Sequence, residues 1–147
     1  MKNRIYKKWG TGFAFIALLA FSCEEVDGLA TPNVASPVLV VVEGSSFPPN
    51  SEVLVSAKFM ELDKSGILDG NIGIDSIPVN DLEIQVYINQ TDEVASLVTN
   101  GEGEVALNTT WEDLGLTIPD PGNQVKLEFT GSYKNVSFRK YHTVRVE

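Results

Sequence analysis

The strongest constraint on the fold of this chain is an alternation of apolar and polar residues with a period of two. The stretch DLEIQVYIN, residues 81–89, places Leu82, Ile84, Val86 and Ile88 on one side and mainly polar side chains on the other. This period is typical of a β-strand with one buried face, whereas a helix would repeat about every 3.6 residues. The chain beyond residue 37 is therefore expected to form sheets that bury a shared apolar core.

Segments of this kind recur at intervals of roughly ten residues, with turn-forming residues between them. The seven predicted strands are residues 37–44, 52–62, 81–89, 93–99, 104–109, 124–133 and 136–147. Such spacing is typical of an all-β antiparallel sandwich. NGEG, residues 100–103, and YKN, residues 133–135, are predicted hairpin turns. Only TWEDLGL, residues 110–116, favours a helical turn, with Thr110 as its N-cap.

One stretch carries a resemblance to a known class of domain. SLVTNGEGEVALNTTW, residues 96–111, resembles the strand–turn–strand of invasin-type and related bacterial immunoglobulin-like domains. The resemblance implies an immunoglobulin-like β-sandwich of about seven strands over residues 37–147, and it names no ligand. Because Cys23 is the only cysteine in the chain, the Cys…Trp…Cys core of antibody domains is absent.

The amino-terminal residues have a different pattern. MKNRIYKK, residues 1–8, contains four basic residues and no acidic residue, and the apolar run GFAFIALLAF, residues 12–21, follows it. A basic start followed by a short apolar run indicates a secretory signal, and this run is too short to span a bilayer comfortably. A lone cysteine of a cytosolic protein is the alternative interpretation of Cys23.

LAFSC, residues 19–23, resembles the lipobox of bacterial lipoproteins, although Phe21 is bulkier than usual for that motif. The resemblance implies that residues 1–22 are a lipoprotein signal peptide. Cys23 then becomes the first mature residue and carries a diacylglyceryl thioether and an acylated amine, with chains such as palmitate. Several acyl chains anchor a protein stably at a membrane, whereas a single chain binds only marginally.

An acidic run, Glu24, Glu25 and Asp27, follows the cysteine directly. It is similar to the export signal of Bacteroidota-type surface lipoproteins, which implies attachment to the outer membrane on the side facing the cell exterior. The alternative is a solvated acidic linker on a protein that faces the periplasm. Residues 23–36 contain glycine, proline and small polar residues, so we predict an extended acidic tether.

The distribution of charge constrains the partners. Removal of residues 1–22 leaves 7 of the 11 basic residues and all 20 acidic residues, a formal charge of −13. Nucleic acid binding is therefore not expected, because phosphates require a basic surface. The one basic region is the carboxyl-terminal hairpin, where we predict contact with a protein partner through Lys134, Arg139, Lys140 and Tyr141. The alternative is that these cations only balance neighbouring acids.

The longest irregular segment, LDKSGILDGNIGID at residues 62–75, contains candidate ligands and a modification site. Asp69, Asn71 and Asp75 offer oxygen atoms among glycines, which favours a calcium site, although the bidentate glutamate of an EF-hand is missing. A polar surface loop is the alternative. Ser76, in DSI, matches the short acceptor pattern of Bacteroidota O-glycosylation. Calcium is the only cofactor that the sequence suggests.

Catalysis is not expected. No G-x-S-x-G motif, second cysteine, phosphate loop or zinc spacing is present. His142 is the only histidine, and its alternation with Phe138 and Val144 predicts a structural side chain that faces inward near a sheet edge.

Two functions are left open. In one, a noncatalytic lipoprotein docks onto an outer-membrane protein assembly such as a nutrient importer, which an apolar patch of Leu54, Met60 and Leu62 would favour. In the other, a glycan-binding lipoprotein of a polysaccharide-uptake system uses outward aromatic rings. The aromatic candidates are Tyr87, Tyr141 and Trp111, of which Trp111 is also a candidate lid on the sandwich.

Overall fold

In the computed structural model, which describes residues 35–147, the chain forms nine β-strands and no α-helix. The strands are β1 (Leu39–Glu43), β2 (Ser46–Phe47), β3 (Val53–Asp63), β4 (Asp75–Pro78), β5 (Glu83–Ile88), β6 (Asp92–Val98), β7 (Glu104–Thr109), β8 (Gln124–Tyr133) and β9 (Val136–Val146). Within this part of the chain, no helix is long and apolar enough to cross a membrane.

The strands are divided between two sheets. In the four-stranded sheet, β3 pairs with β1 along one edge and with β7 and β4 along the other. The order of the five-stranded sheet is β2-β9-β8-β5-β6, and every pair is antiparallel except the short β2–β9 pair. This division of strands confirms the expected all-β antiparallel sandwich.

The strand count of seven was wrong, because β2 and β4 add two short strands. β2 has two residues, and two residues cannot show a period. β4 ends at Pro78 and lies at a sheet edge, where a residue without a backbone N–H is tolerated. Its sequence, DSIP, lacks the β-branched alternation of the other strands, so only its pairing with β3 reveals it as a strand.

The core lies between the two sheets and consists of the side chains that the alternation placed inward. Ile84 and Val86 of β5 are fully buried, as are Phe59 of β3 and Phe129 of β8. The rings of Phe59 and Phe138 are 5.9 Å apart, which joins the two sheets through an aromatic contact. The opposite faces of the same strands are therefore free to carry polar side chains.

The turns were predicted with mixed success. Residues 133–135 lie in the hairpin between β8 and β9, where Lys134 and Asn135 both have positive φ, as a type I′ turn requires. Residues 100–103 are not a hairpin turn, because β6 belongs to the five-stranded sheet and β7 to the four-stranded sheet. A glycine turn between two alternating segments looks the same in a hairpin and in a crossover, so the sequence could not separate them.

Gly103 fixes the geometry of this crossover. Its carbonyl accepts a hydrogen bond of 2.8 Å from the backbone N–H of Phe59, and its φ is +73°. A Cβ atom at this position would lie 2.5 Å from the carbonyl oxygen of Phe59 and 3.0 Å from the backbone nitrogen of Val79. Both neighbours are backbone atoms, so they cannot move aside cheaply.

The substitution Gly103→Ala is therefore expected to lower the free energy of unfolding by about 2 kcal/mol, through backbone strain and steric overlap. Gly101→Ala is the matched control, because its φ is not positive and a Cβ atom there meets nothing within 4 Å. Urea unfolding of both variants measures the difference. Equal stability of the two variants would show that the crossover does not pack as described.

The predicted helical turn begins at Thr110, as expected. The Thr110 hydroxyl accepts a hydrogen bond from the backbone N–H of Asp113, and the Asp113 carboxylate accepts one from that of Thr110. The Thr110 hydroxyl also donates to this carboxylate, which lowers the pKa of Asp113. The turn buries Trp111, which is 3% exposed and donates from Nε1 to the carbonyl of Pro48. Trp111 is thus a lid on one end of the core, and its ring cannot stack on a ligand.

Candidate binding face

The outer surface of the five-stranded sheet holds the most unusual group of side chains among residues 35–147. In the strand register, Glu128 of β8 lies opposite Tyr87 of β5 on one side and opposite Tyr141 of β9 on the other. Two tyrosines and one carboxylate thus form a row across three adjacent strands. We call this surface the binding face, and it consists of Gln85, Tyr87, Lys126, Glu128, Thr130, Arg139 and Tyr141.

Glu128 is the exceptional member of this face, because its side chain is only 4% exposed although it points away from the core. Its Oε1 atom forms an ion pair with Arg139, whose Nε lies 2.7 Å away. Its Oε2 atom is buried and has no hydrogen-bond partner, the only such side-chain atom among the described residues. An unpaired buried oxygen costs stability, so it requires an explanation.

Two cations contact Tyr141, one at its hydroxyl and one over its ring. Nη1 of Arg139 donates a hydrogen bond of 3.3 Å to the tyrosine hydroxyl, and Nζ of Lys126 lies 3.6 Å from the ring centroid. The hydrogen bond to Tyr141 and the nearby charge of Glu128 raise the pKa of Arg139. The ring is 40% exposed, so Tyr141 presents an oriented aromatic surface to solvent.

Two shallow depressions cross the binding face. The first, of about 700 Å³, is lined by side chains that include Gln85, Tyr87 and Arg139. The second, of about 400 Å³, is lined by Asn89, Gln90, Lys126, Glu128 and Tyr141. Glu128 and Gln90 line both depressions. The face therefore offers a continuous concave surface centred on the buried carboxylate.

The structure separates the predicted partner contacts into three places. Arg139 and Tyr141 share the binding face, whereas Lys140 lies on the other side of β9, opposite the inward-facing Phe129. Adjacent residues of a strand point to opposite sides, so Arg139 and Lys140 cannot share one surface. Lys134, in the β8–β9 turn, forms an ion pair with Glu61 of β3 beside the hydrogen bond from Tyr133.

The ion pair of Glu61 joins the two sheets rather than serving the binding face. Oε2 of Glu61 accepts a hydrogen bond of 2.7 Å from the Tyr133 hydroxyl, and Oε1 accepts one from Lys134. These two donors lower the pKa of the Glu61 carboxyl, Lys134 being the larger influence. The ammonium group of Lys134 is therefore already paired with a carboxylate of its own domain.

Three residues of the binding face, Tyr87, Lys126 and Glu128, were not predicted as one site. Tyr87 was identified as an outward aromatic residue, whereas Lys126 and Glu128, which lie between apolar residues of β8, were not named as candidates. Only the register of β5, β8 and β9 brings the three together. No local sequence signal indicates that Glu128 is buried.

His142 has a structural partner, and its predicted position near an edge is confirmed. Its side chain is partly buried on the inner side of β9, and Nε2 lies 2.8 Å from the carbonyl oxygen of Gly44. This contact ties β9 to the connection between β1 and β2. The ring nitrogen is thus engaged by the backbone at a distance from the binding face.

The segment predicted to bind calcium forms a series of turns. Oδ1 of Asp69 accepts hydrogen bonds from the backbone and side-chain nitrogens of Asn71, and Oδ1 of Asp75 accepts one from the backbone of Ser76. Within residues 35–147, no three His, Cys, Asp or Glu side chains gather as a metal site would require. Calcium binding therefore stays a prediction.

The remaining predicted sites are placed as follows. Ser76 lies exposed on β4, opposite Leu62, and its O-glycosylation stays a prediction. Cys23, Glu24, Glu25 and Asp27 lie outside the described residues.

Leu54, Met60 and Leu62 do point outward, but they do not form one patch. Leu54 lies opposite Asn108, and Ser56 and Lys58 separate it from Met60 on the same face of β3. Met60 instead lies between Leu39 of β1 and Pro78 of β4. The apolar surface of this sheet is therefore concentrated near the end of β3.

No protein-family model matches the sequence, and neither does any curated protein.

Proposed function

We propose that this protein is a noncatalytic lipoprotein, anchored to the outer membrane through Cys23 and facing the cell exterior, that docks onto an outer-membrane protein assembly such as a nutrient importer. The single observation that carries the docking proposal is Glu128, a buried carboxylate with one paired and one unpaired oxygen on an outer surface. Lipid attachment is supported by the basic start, the apolar run and the lipobox-like LAFSC sequence.

A buried, half-satisfied carboxylate is costly for folding, and an apolar residue at position 128 would remove that cost. Residues that weaken a fold in this way are expected mainly at functional sites. Since Glu128 lines both depressions, a small shift of the neighbouring side chains would bring Oε2 to a hydrogen-bond donor on a partner. Binding of the partner would then supply the hydrogen bond that Oε2 of Glu128 lacks in the free protein.

The composition of the face agrees with protein recognition. Tyrosine and arginine dominate the residues that contribute most to protein–protein affinity, and Tyr141 and Arg139 are in contact at the centre of this face. Of the seven residues of the face, Lys126 and Arg139 are basic and Glu128 is acidic, so the face carries a formal charge of +1 on a strongly acidic protein. A partner with a complementary acidic surface would be steered toward it, and that attraction would weaken as salt is added.

Glycan binding is the second candidate, and it rests on the aromatic row. Tyr87 and Tyr141 lie on either side of Glu128 across three strands. Aromatic faces stack on sugar rings, and a carboxylate between them would accept hydrogen bonds from sugar hydroxyls. A neutral glycan would not be steered by charge, so its binding would depend little on salt.

Capture of proteins from native membranes in mild detergent, with the tagged protein as bait, tests the docking proposal. Arg139→Glu is expected to reduce recovery of the partner several-fold and to make the remaining recovery less sensitive to salt. Glu128→Gln keeps the shape of the side chain and is also expected to reduce recovery, without loss of stability. Lys58→Glu is the matched control, because it makes the same change of charge on the outer face of the other sheet.

Two outcomes would contradict docking. One is unchanged recovery with Arg139→Glu while the melting temperature is also unchanged. The other is retention of the protein on a polysaccharide column that is lost with Tyr87→Ala or Tyr141→Ala, which would favour the glycan-binding alternative.

A further inference from the structure

The hairpin between β3 and β4 exposes an unusual number of aliphatic side chains. Its loop, residues 64–74, has the sequence KSGILDGNIGI. Leu68 is 98% exposed and Ile72 is 69% exposed. Of the eleven large hydrophobic side chains exposed among residues 35–147, this hairpin contributes five: Ile67, Leu68, Ile72, Ile74 and Ile77. A concentration of this kind marks an interaction surface.

The loop is ordered by its own hydrogen bonds. Backbone N–H groups of Ile67 and Asp69 donate to the carbonyls of Lys64 and Gly66, and those of Ile72 and Gly73 both donate to the carbonyl of Asp69. Gly66 is covered so closely by Ile72 that a Cβ atom there would meet the isoleucine side chain at 2.3 Å. These turns pair part of the backbone within the loop, while the aliphatic side chains stay exposed.

The hairpin projects from one particular end of the sandwich. The pairing of β3 with β1 stops at Met60, opposite Leu39, and that with β7 stops at Lys58, so residues 61–63 pair only with β4. β1 begins at this same end, since Leu39 is its first residue. The first described strand therefore starts beside the base of the hairpin.

The length of the preceding chain limits the distance from the anchor. Twelve residue steps separate Cys23 from Ala35. At about 3.3 to 3.6 Å per residue they span at most about 43 Å, and less in any conformation that is not fully extended. With lipid attached to Cys23, as proposed above, Ala35 would lie no farther than this distance from the membrane surface.

We propose that the aliphatic tip of this hairpin inserts into the interface of the lipid bilayer that holds Cys23, as a second membrane contact. The inference rests on the proposed lipid anchor. The transfer of exposed aliphatic side chains from water to the acyl boundary of a bilayer lowers their free energy. The exposed side chains of the tip are aliphatic, so their transfer out of water is non-directional and requires no partner surface of matching shape.

The charges of the hairpin determine which lipid headgroups it can approach. Asp63, Asp69 and Asp75 outnumber Lys64, so the hairpin is acidic. Anionic headgroups would repel it, and uncharged or zwitterionic headgroups would not. The contact would be shallow, because Asp69 lies between Leu68 and Ile72 and its charge must stay hydrated.

Site-specific fluorescence on the full lipidated protein tests this inference. Cys23 is the only native cysteine, and its sulfur is blocked when lipid is attached, so a cysteine introduced by Leu68→Cys can be labelled alone with an environment-sensitive dye. Ile118→Cys is the matched control. Ile118 is also exposed, at 75%, and lies in the loop after β7, whose last residue pairs with the first residue of β3 at the opposite end of the sandwich.

In phosphatidylcholine vesicles, the dye at position 68 is expected to show a blue shift and several-fold stronger quenching by nitroxide-labelled lipid than the dye at position 118. Addition of phosphatidylglycerol is expected to reduce this quenching. Equal quenching at both positions in vesicles that carry the protein would overturn the hairpin contact and leave the lipid anchor intact. Failure of the protein to float with the vesicles would overturn both. Protection of position 68 by a co-purifying protein, without lipid quenching, would assign the hairpin to a protein partner instead.

Discussion

Replacement of Cys23 by alanine is expected to move the protein entirely from the membrane fraction to the soluble fraction. The proposed anchor consists of acyl chains on this residue, and no other feature of the tether resembles a membrane anchor. The fold should survive, because Cys23 lies outside the unit Ala35–Glu147, whose core contains no cysteine. Detergent-phase partitioning and thermal melting measure the two properties separately.

Ser22→Ala is the control for this experiment, since it keeps a small residue before the cysteine and should leave the protein in the detergent phase. A Cys23→Ala variant that still partitions into detergent would overturn the lipoprotein proposal. It would also remove the basis of the hairpin contact with lipid.

Phe129→Ala is expected to cause the largest loss of stability of any single truncation discussed. Phe129 is fully buried between the sheets, and deletion of such a ring typically costs about 3 to 5 kcal/mol, from lost burial and from the cavity that remains. For a domain of this size, the melting temperature should fall by about 12 to 20 °C. Urea unfolding and thermal melting measure the loss.

Thr130→Ala is the matched control, because Thr130 follows Phe129 directly and lies half-buried on the outer side of β8. Its truncation is expected to cost less than about 1 kcal/mol. If the two variants lost similar stability, the alternation of β8 would be wrong. Glu128 would then not lie on the outer face, and the binding face would lose its central residue.

The local structure of the strands could be predicted from the sequence because burial on one face leaves a period of two. The inward residues of β5 are the clearest example, since all four predicted side chains are buried. The pairing of strands could not be predicted in the same way. Residues 100–103 illustrate this, because nothing local indicates that β6 and β7 enter different sheets. β2 and β4 are recognisable only through their partners.

The candidate site was predicted only in part, for a related reason. Arg139 and Tyr141 were identified from the basic hairpin, and they do share a face, but Lys140 was grouped with them against the alternation of the strand. Glu128 became a candidate only when the register placed it between Tyr87 and Tyr141. In the same way, the acids and glycines of residues 62–75 suggested calcium, whereas the exposure of Ile67, Leu68 and Ile72 is a property of the folded hairpin.

Photo-crosslinking in intact cells tests the central claim, docking through the binding face, most directly. A photoreactive residue would replace Thr143, which is exposed next to the binding face and lies opposite Lys126, or Ala106, which is exposed on the outer face of the four-stranded sheet. Docking predicts one adduct with an outer-membrane protein from position 143, lost with Arg139→Glu, and no such adduct from position 106. Adducts from position 106 alone, or none from position 143, would contradict it.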